Sequence, residues 1–192
     1  MSPYDAVFDD PYCYEGTSVL KNRLDLRTQD ELTEFEHAIS SQRAEEPLPD
    51  GDLDQRHYCA LHHHFYQDVY EWAGELRTVR TAKGGNAFCF PEYIDAHLTK
   101  LFEELASARH FCGLDADAFA SAAAHFLAEL NAIHPFREGN GRTQLTFLKL
   151  LADEAGHAID LRRLDPPATL QAMIASFSGD EKPLTRLIRQ LM

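Results

Sequence analysis

Residues 134–143 read HPFREGNGRT and place a histidine, two arginines, a glutamate and a Gly-Asn-Gly turn within ten positions. Stretches with helical periodicity lie on both sides of the segment. The preceding helix should stop near His134, because Pro135 disfavours helical geometry in the residue before it. A new helix is expected to begin near Asn140. The sequence therefore predicts that a helix end, a short loop and a helix start meet here.

The Gly139-Asn140-Gly141 turn is suited to binding an anion. Two glycines around a polar residue let consecutive backbone N–H groups converge at the positive end of a helix dipole. Arg142 follows in the first turn of that helix, where a cation is unfavourable for the dipole unless an anionic ligand is bound. Its planar guanidinium matches phosphate oxygens. We expect a phosphate-containing ligand.

Glu138 and His134 each allow two interpretations. A carboxylate beside a phosphate site would repel the ligand unless a cation such as Mg²⁺ lay between them, so Glu138 is a candidate metal ligand. It could equally complement the helix N-terminus. His134 lies at the negative end of the preceding helix, which should raise the basicity of its imidazole, so it could accept a proton from an attacking hydroxyl. The alternative is a histidine that caps a helix.

The rest of the chain is predicted to be mostly helical. Thr28 and Glu31 form a capping box before a helix over about 29–42. A long second helix is expected from Asp54 to Gly74. Further helices are expected from Pro91 to about 105, after the cap Asp115, from about 140, and over 167–176 and 180–191.

A β-hairpin is predicted between the second and third helices. Leu76–Thr81 alternates with β-branched residues, residues 83–86 supply turn chemistry, and Ala87–Phe90 is apolar. A lone hairpin needs something to pack on, which favours a flap over a site, although a surface excursion is the simpler alternative. The predicted fold class is all-α, a helical bundle with one β-hairpin flap.

Composition limits the class of partner. Eighteen Lys and Arg against 31 Asp and Glu give a formal charge of −13, and 44% of the 192 residues are hydrophobic. Such a chain should fold as a single domain. The excess negative charge opposes a nucleic-acid coat or a membrane-surface role, but it does not oppose a local anion site.

The cysteines and the N-terminus point to a reducing compartment. Four single cysteines contain no Cys-x-x-Cys pair, which argues against a disulfide framework or a structural zinc site. No signal peptide and no apolar run of membrane-spanning length is visible. We expect a cytoplasmic protein, and export by a route without a cleaved signal stays open.

Seven residues of the opening segment match the signature of the Fic (filamentation induced by cAMP) proteins. They are His134, Phe136, Glu138, Gly139, Asn140, Gly141 and Arg142. Residues 12–22 (YCYEGTSVLKN) and 69–77 (VYEWAGELR) also resemble family segments. The resemblance covers about residues 12–155, within a single Fic-like domain over 1–192.

The resemblance implies an enzyme that transfers AMP from ATP to a Ser, Thr or Tyr hydroxyl of a target protein and releases pyrophosphate. His134 would be the general base and Glu138 would hold Mg²⁺. Gly139, Asn140, Gly141 and Arg142 would hold the phosphates. The flap would align the target by main-chain pairing, through Thr78, Val79, Arg80, Gly84, Gly85 and Phe88.

The chain departs from the family pattern at Leu145, where a second arginine is expected three positions after Arg142. A lost charged contact to a phosphate could cost about 1.5–3 kcal/mol. Two alternatives therefore stay open: another phosphate-containing donor used by the same loop, or a nucleotide-binding or interaction module with little turnover.

The family's inhibitory motif, Ser/Thr-x-x-x-Glu followed by Gly or Asn, does not occur in the sequence. In the family, chains without it are often restrained by a small separate antitoxin, which makes such a protein a candidate partner. His62, His63 and His64 point in three directions of one helix and cannot all bind one metal, so a solvated and partly packed face is expected.

Overall fold

The computed structural model describes residues 10–83 and 85–192, so the flap residue Gly84 lies outside the described residues. Within them the chain forms helices and one antiparallel hairpin. The helices are α1 (Gln29–Ala44), α2 (Gln55–Tyr66), α3 (Pro91–Ser107), α4 (Ala116–Ile133), α5 (Asn140–Glu154), α6 (Pro166–Phe177) and α7 (Lys182–Leu191), and the strands are β1 (Ala82–Lys83) and β2 (Asn86–Ala87). The predicted all-α fold class with one hairpin is confirmed.

Helix α4 is the centre of the bundle. It contacts α3, α5, α6 and α7, while α2 contacts α1, α3 and α5. The predicted apolar face of α4 is buried, with Phe119, Ala123 and Leu130 at 0% exposure. Each large apolar side chain buried in this way contributes about 1.5–3 kcal/mol. None of the described helices is both long and apolar enough to cross a membrane.

The predicted helix caps are present. Thr28 accepts from the Glu31 backbone N–H at 3.4 Å and its hydroxyl donates to the Glu31 carboxylate at 2.6 Å. Asp115 accepts from the backbone N–H groups of Asp117 and Ala118. At the other end of α4, His134 takes a left-handed conformation with φ 50° and ends the helix before Pro135.

The second helix is shorter than predicted. It was expected to reach Gly74, but α2 ends at Tyr66 and the chain turns back. The backbone N–H of Gly74 donates to the Nδ1 atom of His62 at 2.8 Å, which draws residues 67–74 across α2 instead of along its axis. Periodic apolar residues alone could not reveal this turn, because the reversed segment also buries Val69 and Ala73.

The hairpin exists but its strands are short. Ala82 pairs with Ala87 and Lys83 with Asn86, whereas Leu76–Thr81 was expected to form the first strand. The backbone N–H of Arg77 bonds to the carbonyl of Pro135 at 2.8 Å, and the carbonyl of Val79 accepts from the Arg77 guanidinium at 2.6 Å. These groups are therefore bonded away from a partner strand.

A second apolar cluster joins the N-terminal segment to the main core. Residues around Cys13, Val19 and Leu20 pack with Leu32, Phe65, Val69 and Tyr70. The backbone N–H of Arg23 donates to the carbonyl of Val69 at 2.9 Å. This cluster fixes the N-terminal segment against residues 69–77, so the two outlying Fic-like segments lie side by side.

Tyr58 provides a test of the core. Its ring is fully buried and stacks on Phe136 at 5.4 Å, yet within the described part of the chain its hydroxyl has no hydrogen-bond partner. A buried hydroxyl without a partner costs roughly 1–3 kcal/mol. We expect Tyr58→Phe to leave the free energy of unfolding unchanged or raise it by about 1 kcal/mol. Chemical denaturation measures this.

The control is Tyr58→Leu, which removes the hydroxyl and also the ring contacts to Phe136 and Phe147. It should lower the free energy of unfolding by at least about 1 kcal/mol. Equal losses for both variants would mean that the hydroxyl does make a stabilising bond.

Candidate active site

The loop between α4 and α5 is held by aromatic contacts on α2. The Phe136 ring is fully buried and lies 3.8 Å from the His62 ring, with an interplanar angle of 19°, and it also stacks on Tyr58. The Nε2 atom of His62 lies 3.0 Å from the carbonyl oxygen of Glu138. Since Nδ1 accepts from Gly74, the ring is the neutral tautomer that donates through Nε2. His62 thus connects the turn at Gly74 to the loop at Glu138.

Asn140 closes the loop from the α5 side. Its side-chain oxygen accepts from the Phe136 N–H at 3.0 Å and its amide donates to the Phe136 carbonyl at 2.8 Å. The side chain is fully buried. If Asn140 contributes to phosphate binding, it does so through its backbone N–H, which as part of the first turn of α5 has no carbonyl partner within the helix.

Gly139 allows the turn that precedes α5. It has φ +79°, a region that disfavours residues with a side chain, and a Cβ atom there would lie 2.3 Å from the Tyr66 ring. The carboxylate of Glu138 accepts from the Gly139 N–H at 3.0 Å. The interpretation of Glu138 as complementing the helix N-terminus is therefore visible in the structure, and its role as a metal ligand remains a prediction.

His134 lies at the end of α4 beneath the flap. Its ring stacks on Phe88 with centroids 3.8 Å apart and an interplanar angle of 9°. Burial, followed by the charges of the nearby cations Arg77 and Lys83, lowers the pKa of His134 to about 3. The expectation that the helix end raises its basicity was wrong, because burial and these positive charges outweigh the helix dipole. The imidazole is neutral near pH 7.

Arg77 connects the flap to His134, and the sequence did not identify it. Its side chain is 2% exposed. Nε donates to the His134 carbonyl at 2.8 Å, and Nη2 donates to the carbonyls of Cys89 at 2.6 Å and Ile133 at 3.2 Å. With the bond to Val79, one guanidinium fixes both legs of the flap to the end of α4.

Arg142 lies against α1. It donates to the Ser40 carbonyl at 3.1 Å, in the last turns of that helix, and its guanidinium carbon is 6.0 Å from the centre of the Phe65 ring. The negative end of α1 therefore offsets part of the cost of a cation at the N-terminus of α5. A phosphate ligand would supply the remaining anionic partner.

Glu36 on α1 is a second carboxyl group near this loop. It accepts from the Tyr70 hydroxyl at 2.7 Å. Burial and, to a smaller extent, the charge of Glu138 raise the pKa of Glu36 to about 7, against the opposing effects of Tyr70 and Arg142. No local sequence pattern marks this residue, because it is separated from the loop by about a hundred positions.

The donor set fits a nucleotide-borne Mg²⁺ better than a metal held by protein alone. The described residues contain no group of three or more His, Cys, Asp or Glu side chains placed to bind an ion. Mg²⁺ usually takes one or two carboxylates and completes its shell with phosphate oxygens and water. Glu138, with Glu36 near enough for the charge of Glu138 to raise its pKa, offers the carboxylates that such a site needs.

Comparison with known proteins identifies the family. The sequence model of the Fic/DOC family matches residues 52–152. A probable protein adenylyltransferase of Sinorhizobium fredii, y4lH, is 55% identical over the full length of both chains. This chain belongs to the Fic/DOC family.

Other relatives differ in length or are known as structures. The protein adenylyltransferase VbhT of Bartonella schoenbuchensis is 37% identical over 95% of this chain, which spans 39% of VbhT. The structure of the BepC protein of Bartonella tribocorum with bound AMPPNP superposes with a TM-score of 0.84 at 27% identity, covering 94% and 95% of the two chains. A Fic domain from Bartonella quintana with bound ADP gives 0.85 at 28%, covering 94% of each.

Several residues of the flap contact other residues of this chain. The backbone N–H of Thr78 donates to the Tyr12 hydroxyl at 3.1 Å, and Arg80 lies over the exposed Phe90 ring at 4.2 Å. Phe88 is 9% exposed and covers His134, whereas Thr78, Arg80 and Gly85 are exposed. Alignment of a target by these residues and by the half-buried Val79 stays a prediction.

The remaining buried groups of the Fic loop are paired across long distances in sequence. Arg137 is fully buried and forms a 2.7 Å ion pair with Asp10.

In the histidine run of α2, His62 and His64 are buried and His63 is exposed, so two of the three directions face the core. Motif spacing could not reveal that His62 supports the loop.

Gly139 and Gly141 form a matched pair for substitution by alanine. A Cβ atom on Gly139 would meet Tyr66, whereas one on Gly141 would meet nothing within 4 Å. We expect Gly139→Ala to lower the free energy of unfolding by about 2 kcal/mol or more. Gly141→Ala should keep or raise it, since alanine favours the helix by up to about 1 kcal/mol.

Denaturation curves measure both, and ATP titration adds a second readout. If the Gly141 backbone lines the phosphate site, Gly141→Ala weakens ATP binding while the fold stays intact. Equal stability of the two variants would contradict the close approach of Gly139 to Tyr66.

His62 should make the fold sensitive to acid. Burial lowers the pKa of His62 to about 3, against 6.5 for an ordinary histidine. Between pH 7 and pH 5 the unfolded chain therefore binds a proton that the native state does not, so stability falls as the pH falls. This histidine contributes a loss of about 2 kcal/mol over that range.

Glu36 acts in the opposite direction, because its native pKa of about 7 lies above the ordinary value of 4.5. The test therefore compares variants. When the pH falls from 7 to 5, His62→Gln should keep about 2 kcal/mol more of its free energy of unfolding than wild type does. His97→Gln, at an exposed position on α3, should match wild type. An unchanged His62→Gln profile would show that native His62 binds a proton.

Proposed function

We propose that this chain is a Mg²⁺-dependent protein adenylyltransferase that transfers AMP from ATP to a Ser, Thr or Tyr hydroxyl of a target protein. The observation that carries the proposal is the single rigid loop that presents His134 at one end and the start of α5 at the other. Two similar proteins are named protein adenylyltransferases, and one of them, named as a probable one, matches this chain over its whole length.

The base would work from its neutral form. A neutral imidazole carries one N–H, and the backbone hydrogen bond with Asn131 uses it. The second ring nitrogen then has a lone pair for the proton of the incoming hydroxyl. As the hydroxyl oxygen bonds to the α-phosphorus, the bond to the pyrophosphate oxygen breaks, and the proton passes to His134.

The low pKa of His134 is compatible with this role. Burial is the largest cause of the low pKa, and positive charge from Arg77, Lys83 and Arg137 lowers it further than burial alone would. A nucleotide brings negative charge to the same place, which favours the imidazolium and raises the pKa. The base would therefore become strongest when its substrate is bound.

The phosphates would be held by the first turn of α5. The backbone N–H groups of Asn140 and Gly141 lie at the positive end of the helix dipole, and Arg142 lies in the same turn. Mg²⁺, held by Glu138, would neutralise phosphate charge and help pyrophosphate to leave. Leu145 adds no charge in the next turn, so Arg142 and the metal would carry the contact that a second arginine makes elsewhere in the family.

The partner proposed for this site is a target protein with an accessible hydroxyl. A separate antitoxin that supplies an inhibitory glutamate stays a prediction from the family resemblance. Its glutamate would meet Leu145 in place of an arginine, so we expect weaker restraint than in chains with both arginines.

Transfer of radiolabel from ATP to protein tests the function. Wild-type protein with Mg²⁺ and a cell lysate should transfer label from the α-phosphate and none from the γ-phosphate. His134→Ala should lower the rate at least about 100-fold, because general-base catalysis contributes about 10²–10⁴. Chelation of divalent cations should stop the reaction.

The matched control is His97→Ala, which changes an exposed histidine on α3 and should keep the wild-type rate. Transfer of the γ-label would instead indicate kinase chemistry. ATP binding without transfer to any protein would favour the nucleotide-binding module.

A further inference from the structure

A groove of about 640 Å³ lies outside the loop, between the N-terminal segment and residues 71–78. Its walls are the two Fic-like segments that the phosphate chemistry does not use. Tyr12 and Tyr14 lie on one wall, and Trp72 and Thr78 lie on the other.

The groove is already built in the protein without a ligand. The Tyr12 ring meets Trp72 edge to face at 5.4 Å, and its hydroxyl bonds to Thr78. The side chain of Asn22 holds the turn through bonds to the backbone of Leu20 and Leu26. A ligand would therefore meet a fixed surface, with little ordering cost.

Both walls are joined to the catalytic loop. Asp10, next to the lining residue Pro11, pairs with Arg137. Arg77, next to the lining residue Thr78, bonds to the carbonyls of His134 and Pro135 through its side chain and its N–H. Consecutive Cα atoms are about 3.8 Å apart, so the groove lies beside the loop that carries the base.

The charges of the lining favour a cationic ligand. Glu71 and Glu75 are exposed and flank Trp72. The one cation of the described lining, Lys21, donates to the Pro11 carbonyl at 2.8 Å. Carboxylates beside an aromatic face are the groups that bind guanidinium and ammonium ions.

An arginine of this chain already binds two lining residues of the groove in that manner. The Arg27 guanidinium lies 3.7 Å from the centre of the Tyr14 ring and pairs with Asp25 at 2.7 Å. Tyr14 and Asp25 both line the groove. The part of the lining around Trp72, which we call the inner half, has the same kinds of group: the carboxylates of Glu71 and Glu75 and the half-buried Trp72 ring, which stacks on Tyr70 at 4.3 Å and offers a cation its remaining exposed surface.

We infer that the inner half of the groove is a subsite for an arginine or lysine side chain of the target protein, close to the hydroxyl that is modified. Nucleotide phosphates would be repelled by Glu71 and Glu75. The first nine residues of this chain carry two aspartates and no basic residue, so their charge has the same sign as the groove. The identity of the partner as a target rests on the proposed function.

The single tryptophan of the chain makes the subsite directly measurable. The probe is a synthetic peptide with one tyrosine and two arginines, and its control has citrulline in place of both arginines. The arginine peptide should change Trp72 fluorescence in a saturable way, and the citrulline peptide should bind at least fivefold more weakly. Equal binding of the two peptides would overturn the inference.

Charge-matched variants separate the subsite from general attraction to an acidic protein. Glu71→Gln with Glu75→Gln should weaken the arginine peptide at least fivefold. Glu103→Gln with Glu129→Gln removes the same charge from exposed positions on α3 and α4 and should change binding less than twofold. Equal weakening by both pairs would show that only net charge matters.

AMP transfer to the arginine peptide gives an independent readout. The double variant Glu71→Gln, Glu75→Gln should have a KM for the peptide at least fivefold above wild type, with kcat and ATP affinity within twofold of wild type. Transfer with an unchanged KM would overturn the subsite and leave the proposed function standing. Arginine-specific fluorescence binding with no transfer to the peptide or to any lysate protein would overturn the function and support the subsite.

Discussion

The guanidinium of Arg77 is the contact on which the site depends. A buried cation is costly unless every donor is bonded, and here the acceptors are carbonyl groups from the end of α4 and from both legs of the flap. Two of the carbonyls, those of Ile133 and His134, belong to the negative end of the α4 dipole, which favours a cation there. If the flap or the end of α4 moved alone, the guanidinium would lose some of its carbonyl acceptors and become a buried charge with unbonded donors.

The residues proposed to carry the chemistry are positioned by neighbours that have no proposed chemical role. Phe136 fits between the rings of His62 and Tyr58, and Asn140 bonds across the loop to the Phe136 backbone. Gly139 leaves room for Tyr66. Because these contacts come from α2 and from the loop itself, the spacing between His134 and the start of α5 is set before any ligand binds. Preorganisation of this kind is what lets a few donors act strongly on phosphate.

Much of this arrangement could be predicted from sequence, and the part that could not has a common cause. The Pro135 stop, the Asp115 cap and the Gly-Asn-Gly turn are local signals, and they placed α4, the loop and α5 correctly. Arg77, Arg137 and His62 act through partners 57, 127 and 76 positions away, which no local pattern encodes.

The errors have the same origin. Residues 67–74 kept helical spacing of apolar side chains while Gly74 folded back onto His62, and the leg of the flap after Leu76 bonded to the loop instead of to a partner strand. The Fic-like motif identified the family. It did not show that the N-terminal segment and residues 69–77 lie together beside it.

The charges that act on His134 are positive, whereas the net charge of the whole chain is negative. The net charge is −13, yet Arg77, Lys83 and Arg137 lie close enough to His134 to lower its pKa. Burial is the main reason why this base is weak without a ligand, and the positive potential adds to it; the same potential would favour a phosphate bound nearby. On the outer side of Arg77, Glu71 and Glu75 give the groove the opposite sign. A partner with a hydroxyl next to a basic side chain would be oriented by both fields at once, its basic group toward Trp72 and its hydroxyl toward the nucleotide. Long-range attraction to the acidic chain would then bring such a partner close, and the short-range potential of the loop would determine which of its atoms reaches His134.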